Sequence, residues 1–465
     1  MYYKNKQAKN VKIAYIGGGS RGWAWGLMSD LVSNEDMSGQ VDLYDIDFEA
    51  AKANEIIGNK YNNAEGAKSK WEYRAVQKIE DALQGADFVV ISILPGTFDE
   101  MYSDVHCPEK YGIYQSVGDT SGPGGIIRAM RTIPMYEYFA GKIKECCPQA
   151  WVINYTNPMT LCVKTLYRVF PQIKAFGCCH EVFGTQKLLK IALKELRDIE
   201  AEDRSEIKVN VIGVNHFTWI TGAKYKNIDL IPVYKEFVDK YYEEGYSESA
   251  DNNWMNNKFR SAERVKMDLF RRYGYIAAAG DRHLAEFCEG KWYLENLDTV
   301  QKWKFNLTTV DWRKEDLKEK LQKSQNLVNG EAELKITVTG EEGVNQMRAL
   351  LGLIELVTNV NIPNVGQIPN LPIGAVVETN AVFSSDNVTP VLAGAIPTEI
   401  YPLISRICGQ QQEVSDAIAE RDLGRIFNAF ANDPLVTCSY SEAKSLFEKM
   451  IKNTKKYLDM YDIRS

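Results

Sequence analysis

The run "VKIAYI", Val11 to Ile16, leads straight into "GGGSRG", Gly17 to Gly22, and then into the helix-like "WAWGLMSDL". A short apolar run followed by Gly17-x-Gly19-x-x-Gly22 and a helix is the pattern of a βαβ unit whose first turn cradles a pyrophosphate. The first glycine permits the tight turn, the second lets backbone approach the phosphates, and the third lets helix and strand pack closely. Amides at the helix start then meet the phosphate charge. The next apolar run ends in "LYDID", placing Asp45 23 residues beyond Gly22. A carboxylate there binds adenosine ribose hydroxyls and favours NAD over NADP. Gly17, Gly19, Ser20, Gly22 and Asp45 are therefore expected to hold NAD.

The same alternation continues for the first 180 residues or so. "QVDLYDI" (Gln40 to Ile46), "DFVVISIL" (Asp87 to Leu94), "AWVINYT" (Ala150 to Thr156) and "IKAFGCC" (Ile173 to Cys179) are nearly continuous apolar runs, as buried parallel strands are. "FEAAKANEIIGNKY" and "IIRAMRTIPMYEYFAGKIKECC" lie between them as helices. From about Asp203 the regularity fades. "IKVNVIGVNHFTWITGAKY" reads as one or two strands, "NQMRALLGLIELVTN" and "SYSEAKSLFEKMIKNTKKYLDMY" as helices, and "NIPNVGQIPNLPIG" as an ordered loop. The expected fold class is α/β. Residues 1–200 form an NAD-binding, Rossmann-like doubly wound parallel sheet, and residues 201–465 a mixed, helix-rich α+β domain for substrate binding and oligomerisation.

Composition narrows the function classes. A net charge of −7 argues against a nucleic-acid partner, which needs a basic face. No run of 18 apolar residues is present, and the N-terminus lacks the apolar core of a secretory signal, so no membrane partner and a cytoplasmic location are expected. Nine cysteines, an odd number with two adjacent pairs, do not suit a disulfide framework. Reduced thiols can bind metal.

In an open α/β sheet, ligands bind beyond the carboxyl ends of the strands. Those ends carry "LPGTFDE", "NYTNP" and "CCHE", so Asn154, Asn157, Cys179 and His180 should border one crevice. "GDTSGPGG" adds Asp119 and a glycine-rich backbone able to close against a ligand; a turn and helix start with Asp119 as a solvated cap fits equally. "GVNHFTW" contributes His216, and "AGDRHLAEF" contributes Asp281, Arg282, His283 and Glu286. Any one histidine serves as readily as a hydrogen-bonded structural residue, and Cys179 as a small buried hydrophobe. No CxxC or HExxH pattern occurs, which disfavours structural zinc and zincin chemistry. One cysteine and one histidine would leave coordination positions open for substrate oxygens, the arrangement of a Lewis acid.

Taken in order, "IGGGS", "GDTSGPGGIIRAMRTIP", "NYTNP", "GCCHEVFG" and "GVNHFTW" resemble glycoside hydrolase family 4, the NAD- and metal-dependent glycosidases, from about Val11 through Glu286. The wording "CCHEVFGTQKLL" is similar to its uronide-cleaving branch, which acts on α-galacturonides. The resemblance implies C3 oxidation by NAD⁺, metal-assisted C2 deprotonation, elimination of the aglycone, water addition and re-reduction, with no net redox. It implies Mn²⁺ or another divalent ion on Cys179 and His216, His180 as the acid for the leaving group, Asn157 on the substrate, and Asp119 tuning the base. The base is where the chain departs from relatives that use tyrosine: Asp281 is favoured, with His283 also considered and Tyr275 behind them. Arg282 is expected to pair with the C6 carboxylate. Glu181 is expected to support His180 or the metal, or else to be a helix-start carboxylate. The implied partners are a small uronide and further copies of the chain, as a dimer or tetramer. The alternatives are an α-glucuronidase of the same family, a metal-assisted NAD-dependent sugar or hydroxy-acid dehydrogenase, and an NAD-sensing module.

Overall fold

Along the central strands the side chains alternate between two apolar layers. Ile13, Tyr15, Phe88, Val90, Ile153 and Phe176 pack on one side, while Ala14, Ile16, Val89, Ile91, Val152 and Ala175 pack on the other. Strands buried on both faces need helices on both faces. The helices Trp23–Val32 and Phe48–Tyr61 cover the first layer. The helix Gly122–Cys146 covers the second with Tyr136, Phe139, Ala140 and Ile143. Phe176 is fully buried, and a side chain of that size contributes about 1.5–3 kcal/mol by leaving water.

The computed structural model describes residues 1–247 and 261–463. The strands are β1 (Tyr2–Lys4), β2 (Gln7–Ile16), β3 (Met37–Tyr44), β4 (Trp71–Val76), β5 (Phe88–Ile91), β6 (Trp151–Asn154), β7 (Lys174–Gly177), β8 (Ile207–Val214), β9 (Phe217–Tyr225), β10 (Ile228–Asp229), β11 (Ile276–Ala277), β12 (Leu356–Pro363), β13 (Val376–Ser384) and β14 (Asn387–Pro390). Strands β2 to β7 are parallel and lie in the order β4-β3-β2-β5-β6-β7. Counted along the chain that is 3-2-1-4-5-6, the doubly wound arrangement, with its switch point between β2 and β5. The expected α/β class, Rossmann-like sheet and helix-rich C-terminal part are all present. Helix starts follow their capping residues: Asp47 accepts from the Ala50 amide, and Thr97 with Glu100 closes a capping box.

One reading of the sequence needs correction, and one choice that it left open is resolved. The run "NQMRALLGLIELVTN" is helical only through Leu350; Gly352 at φ 70° ends it, and Leu356–Pro363 becomes β12. Apolar periodicity could not separate the two states, and the backbone of β13, paired from Leu356↔Phe383 to Pro363↔Val376, decided for strand. For Gly118–Gly125, which the sequence left open between a closing backbone and a turn with helix start, the second holds, with Asp119 drawn inward rather than solvated. The segment is a buried turn and helix start: a Cβ on Gly124 would stand 2.8 Å from the carbonyl oxygens of Asp104 and Gly118.

Strand β12 joins the open edge of β7 antiparallel through Asn361↔Gly177, and β13 and β14 extend the sheet to ten strands. The sheet thus draws strands from both sides of residue 200. A second sheet of four strands centres on the β8–β9 hairpin, whose turn is Asn215–His216. It shares one core with the helix Gly122–Cys146 and the C-terminal helices Tyr401–Glu420, Leu423–Ala431 and Tyr440–Thr454. No helix among the described residues is long and apolar enough to cross a membrane.

Candidate active site

The glycine turn after β2 packs so closely on the surrounding chain that it leaves no room for a side chain at Gly17 or Gly19. Gly17 has φ 92°, and a Cβ there would lie 2.0 Å from the Ser92 carbonyl oxygen. Gly19 is flanked as closely, with Ala50 Cβ at 2.7 Å and Asp45 Oδ2 at 2.9 Å from a Cβ position. Asp45 accepts from the Gly19 and Asp47 amides, both at 2.9 Å, so the carboxylate after β3 is aimed at the glycine loop. Ser20 closes the turn onto the Gly17 carbonyl at 3.0 Å, and Gly22 precedes the helix Trp23–Val32. Asn54 pins the loop from beneath, donating to the Gly18 and Ser20 carbonyls and accepting from Trp25 Nε1 at 2.8 Å. Nothing in the glycine pattern singled out Asn54; only its burial in an otherwise apolar helix face does. This cradle fits a dinucleotide.

Beyond the carboxyl ends of β5 to β7 the polar residues converge. The loop before the helix Gly122–Cys146 carries Asp119, the β8–β9 turn carries His216, and the short helix Asp281–Phe287 carries His283. One donor atom from each lies within 4.8 Å of the other two. The His216 and His283 rings stack at 3.8 Å between centroids, and His216 sits at φ 62° with Nδ1 3.0 Å from Thr120 Oγ1. Burial pushes the His216 imidazole down to about 3 and lowers His283 as well, so both are neutral and able to offer lone pairs. Burial opposes the charge of Asp119, but Arg128 and the Thr120 hydroxyl outweigh it and hold the carboxylate well below its ordinary range. A carboxylate and two neutral imidazoles form a donor set that suits a divalent cation, and the buried Nδ1 of His283 has no partner among the described residues.

Asn157 donates to Asp119 Oδ2 at 3.2 Å, while its own Oδ1 is buried without a partner among the described residues. Asn154, by contrast, stays inside the fold, accepting from Tyr136 and donating to the Thr156 carbonyl. His180 starts the helix Glu181–Arg197 and is half-exposed, its Nδ1 2.9 Å from Glu341. Burial works against its protonation, but the Glu341 hydrogen bond and charge prevail and raise it to about 9. Glu181 accepts from the Gly280 amide at 2.8 Å and stands 3.7 Å from His283 Nε2. Burial is again opposed, here by the charge of the protonated His180 and by that amide, which hold the Glu181 carboxyl well below its ordinary range.

Not every residue singled out in the sequence joins this group. Asp281 is fully buried and directs both oxygens to the start of the helix Arg264–Tyr273, accepting from Val265 and Lys266 amides at 3.2 and 3.0 Å. Burial and then Glu263 push its carboxyl up to about 7. Tyr275 packs on the core beneath the second sheet. Arg282 donates to Thr308 Oγ1 and lines a cavity of about 280 Å³ with Glu181, Lys187, Glu263 and His283. Cys179 is buried beside Asn215 and stands outside the Asp119, His216, His283 group; burial, then Glu378 and Glu181, pushes its thiol well up.

The pattern described as "Family 4 glycosyl hydrolase" matches residues 12–195, and that of the family's C-terminal domain matches residues 211–436. The chain belongs to glycosyl hydrolase family 4. Among its family relatives, the α-galacturonidase of Thermoanaerobacterium saccharolyticum is 62% identical over 465 residues, covering all of both chains. The solved structure of lplD from Bacillus subtilis superposes with a TM-score of 0.91 at 53% identity, covering 95% of this chain and 100% of that one. The 6-phospho-β-glucosidase of Thermotoga maritima, solved with manganese, NAD⁺ and glucose-6-phosphate, shares the fold at a TM-score of 0.75 and 21% identity, covering 96% and 99%. Family 4 membership makes the protein a glycosidase, and both parts of the family's pattern contribute to the polar group described above, Asp119 from the first and His216 and His283 from the second.

Proposed function

We propose that the protein releases galacturonate from α-galacturonides, using NAD⁺ and a divalent metal. The reading is carried by end-to-end likeness to an α-galacturonidase, 62% over the full chain. When bound, NAD⁺ would take and return hydride at sugar C3, and the metal, Mn²⁺ or another divalent ion, would polarise the C2 and C3 oxygens. Gly17, Gly19, Ser20, Gly22 and Asp45 hold the dinucleotide, and residues 1–200 act as its domain. Cys179 and His216 would hold the metal, His216 being one of the three residues, with Asp119 and His283, whose donor atoms lie within 4.8 Å of one another.

In this reading His283, kept neutral by burial, takes the C2 proton at Nδ1, because Asp281 is committed to a helix start. His180, held protonated by Glu341, gives a proton to the leaving oxygen. Asn157, steadied by Asp119, receives a sugar hydroxyl on its unpartnered Oδ1. Arg282 faces the C6 carboxylate from the cavity wall. All nine cysteines are unpaired, which suits a reducing compartment such as the cytoplasm.

The test is product NMR after incubating the protein with an α-galacturonide, NAD⁺ and Mn²⁺ in D₂O. The expected product is galacturonate carrying deuterium at C2, without accumulated NADH. NADH formed in step with substrate, and no cleavage, would refute the reading in favour of a dehydrogenase.

A further inference from the structure

Beneath the Cys179 turn lies a buried polar network to which the reaction scheme gives no role. Asn359 on β12 and Glu378 on β13 are only 4% and 1% exposed. Glu378 Oε1 accepts from Asn359 Nδ2 at 2.6 Å, and Glu378 Oε2 accepts from Asn215 Nδ2 at 3.2 Å. The same Asn359 amide also donates to the Cys179 carbonyl oxygen at 3.0 Å. One carboxylate therefore bridges two turns: the one after β7, which carries Cys179, and the one between β8 and β9, where Asn215 immediately precedes His216. His216 holds a left-handed backbone conformation that a histidine rarely adopts unaided. The Asn215 side chain also lies against the Cys179 thiol.

Burying a carboxylate is costly unless its oxygens are hydrogen-bonded, and apolar side chains would fill this space at lower cost. A carboxylate in this place calls for a role that packing alone does not supply. Three remote segments meet here, residues 177–180, 215–216 and 359–378, and a network of directed hydrogen bonds sets their relative positions more sharply than apolar contacts do. We infer that Glu378 is the positioning residue of the metal centre, setting Cys179 against His216 through Asn359 and Asn215. The inference rests on the proposed reading in which Cys179 and His216 hold a divalent ion. Partners of this kind orient ligands without touching the metal, and losing one costs about 10–100-fold in metal affinity.

The experiment replaces the metal with Co²⁺, whose bond to a thiolate gives a charge-transfer absorption, and titrates Mn²⁺ by electron paramagnetic resonance. It uses the full chain with Glu378→Ala, Glu378→Gln and Cys179→Ser. The unsubstituted protein is expected to show the thiolate-to-cobalt band and Cys179→Ser to lack it. Glu378→Ala should weaken the band and bind Mn²⁺ about 10–100-fold less tightly, with NAD affinity unchanged. Glu378→Gln preserves volume and one acceptor oxygen, so it carries the test if the alanine variant does not fold; its loss should be smaller but in the same direction. A folded Glu378 variant that keeps both band and affinity overturns the inference. A missing band in the unsubstituted protein instead overturns the reading of Cys179 as a ligand, and the inference with it.

Discussion

Replacing Arg131 with methionine tests how the helix that presents Asp119 is held in place. Arg131 lies on the helix Gly122–Cys146 and pairs with Asp104 on the helix Phe98–His106 through two contacts, at 2.5 and 3.2 Å. The side chains are 0% and 1% exposed, and Arg131 Nε also donates to the Pro95 carbonyl beyond β5. Methionine fills similar space but leaves the Asp104 charge buried without its main partner. Breaking a buried pair in this way costs about 3–5 kcal/mol. For a chain of this length unfolding as one unit, that is a fall of about 3–5 °C in Tm. The double variant Asp104→Leu with Arg131→Met removes both charges and should recover most of the loss.

The pH dependence of this effect has a definite sign. Burial raises the Asp104 carboxyl above its ordinary value even with Arg131 present, and removing Arg131 raises it further. A folded-state value above the unfolded one gives stability that is present at low pH and lost as pH rises through the folded value. The Arg131→Met deficit should therefore shrink on acidification and grow towards neutrality. Thermal and urea unfolding followed by circular dichroism from pH 5 to pH 8 measures it. A cost under about 1 kcal/mol at neutral pH, or a deficit that grows as pH falls, would refute the argument.

Two further outcomes are expected. Gly17→Ala places a Cβ against the Ser92 carbonyl in a backbone conformation at φ 92°, so it should cost more than about 1 kcal/mol and weaken NAD binding; an unchanged Tm and NAD titration would contradict the cradle. Arg313, in the first turn of the helix Val310–Asn329, has its Nε buried without a partner among the described residues, and burial together with Arg282 lowers its pKa beside Asp119 and Glu286. Its guanidinium is thus placed to take an anion, and Arg313→Gln should raise KM for an α-galacturonide by about 10-fold or more while a neutral galactoside is little affected, as steady-state kinetics would reveal.

The residues that could be read in the chain are those whose role is local. Gly17, Gly19 and Gly22 mark a turn by their spacing, Asp45 ends a strand, and the apolar runs of β2, β3 and β5 to β7 announce strands covered on both faces. Family 4 membership was legible for the same reason, since its motifs are short and contiguous. Less legible were β12 to β14, because the segment "LGLIELVTN" is apolar enough for helix or strand and only an open sheet edge at β7 resolves it.

Sequence by itself determined the doubly wound sheet, the dinucleotide turn and the set of polar residues at the strand ends, because each depends on period, spacing or strand polarity. Tertiary structure alone decided which of those residues meet. It turned Asp281 away to cap a helix, brought His283 onto His216 and Asp119, and ran Glu378 beneath Cys179 from nearly 200 residues away. A side chain's partners are set by packing between distant segments, and no local pattern encodes the distance or direction between two such segments.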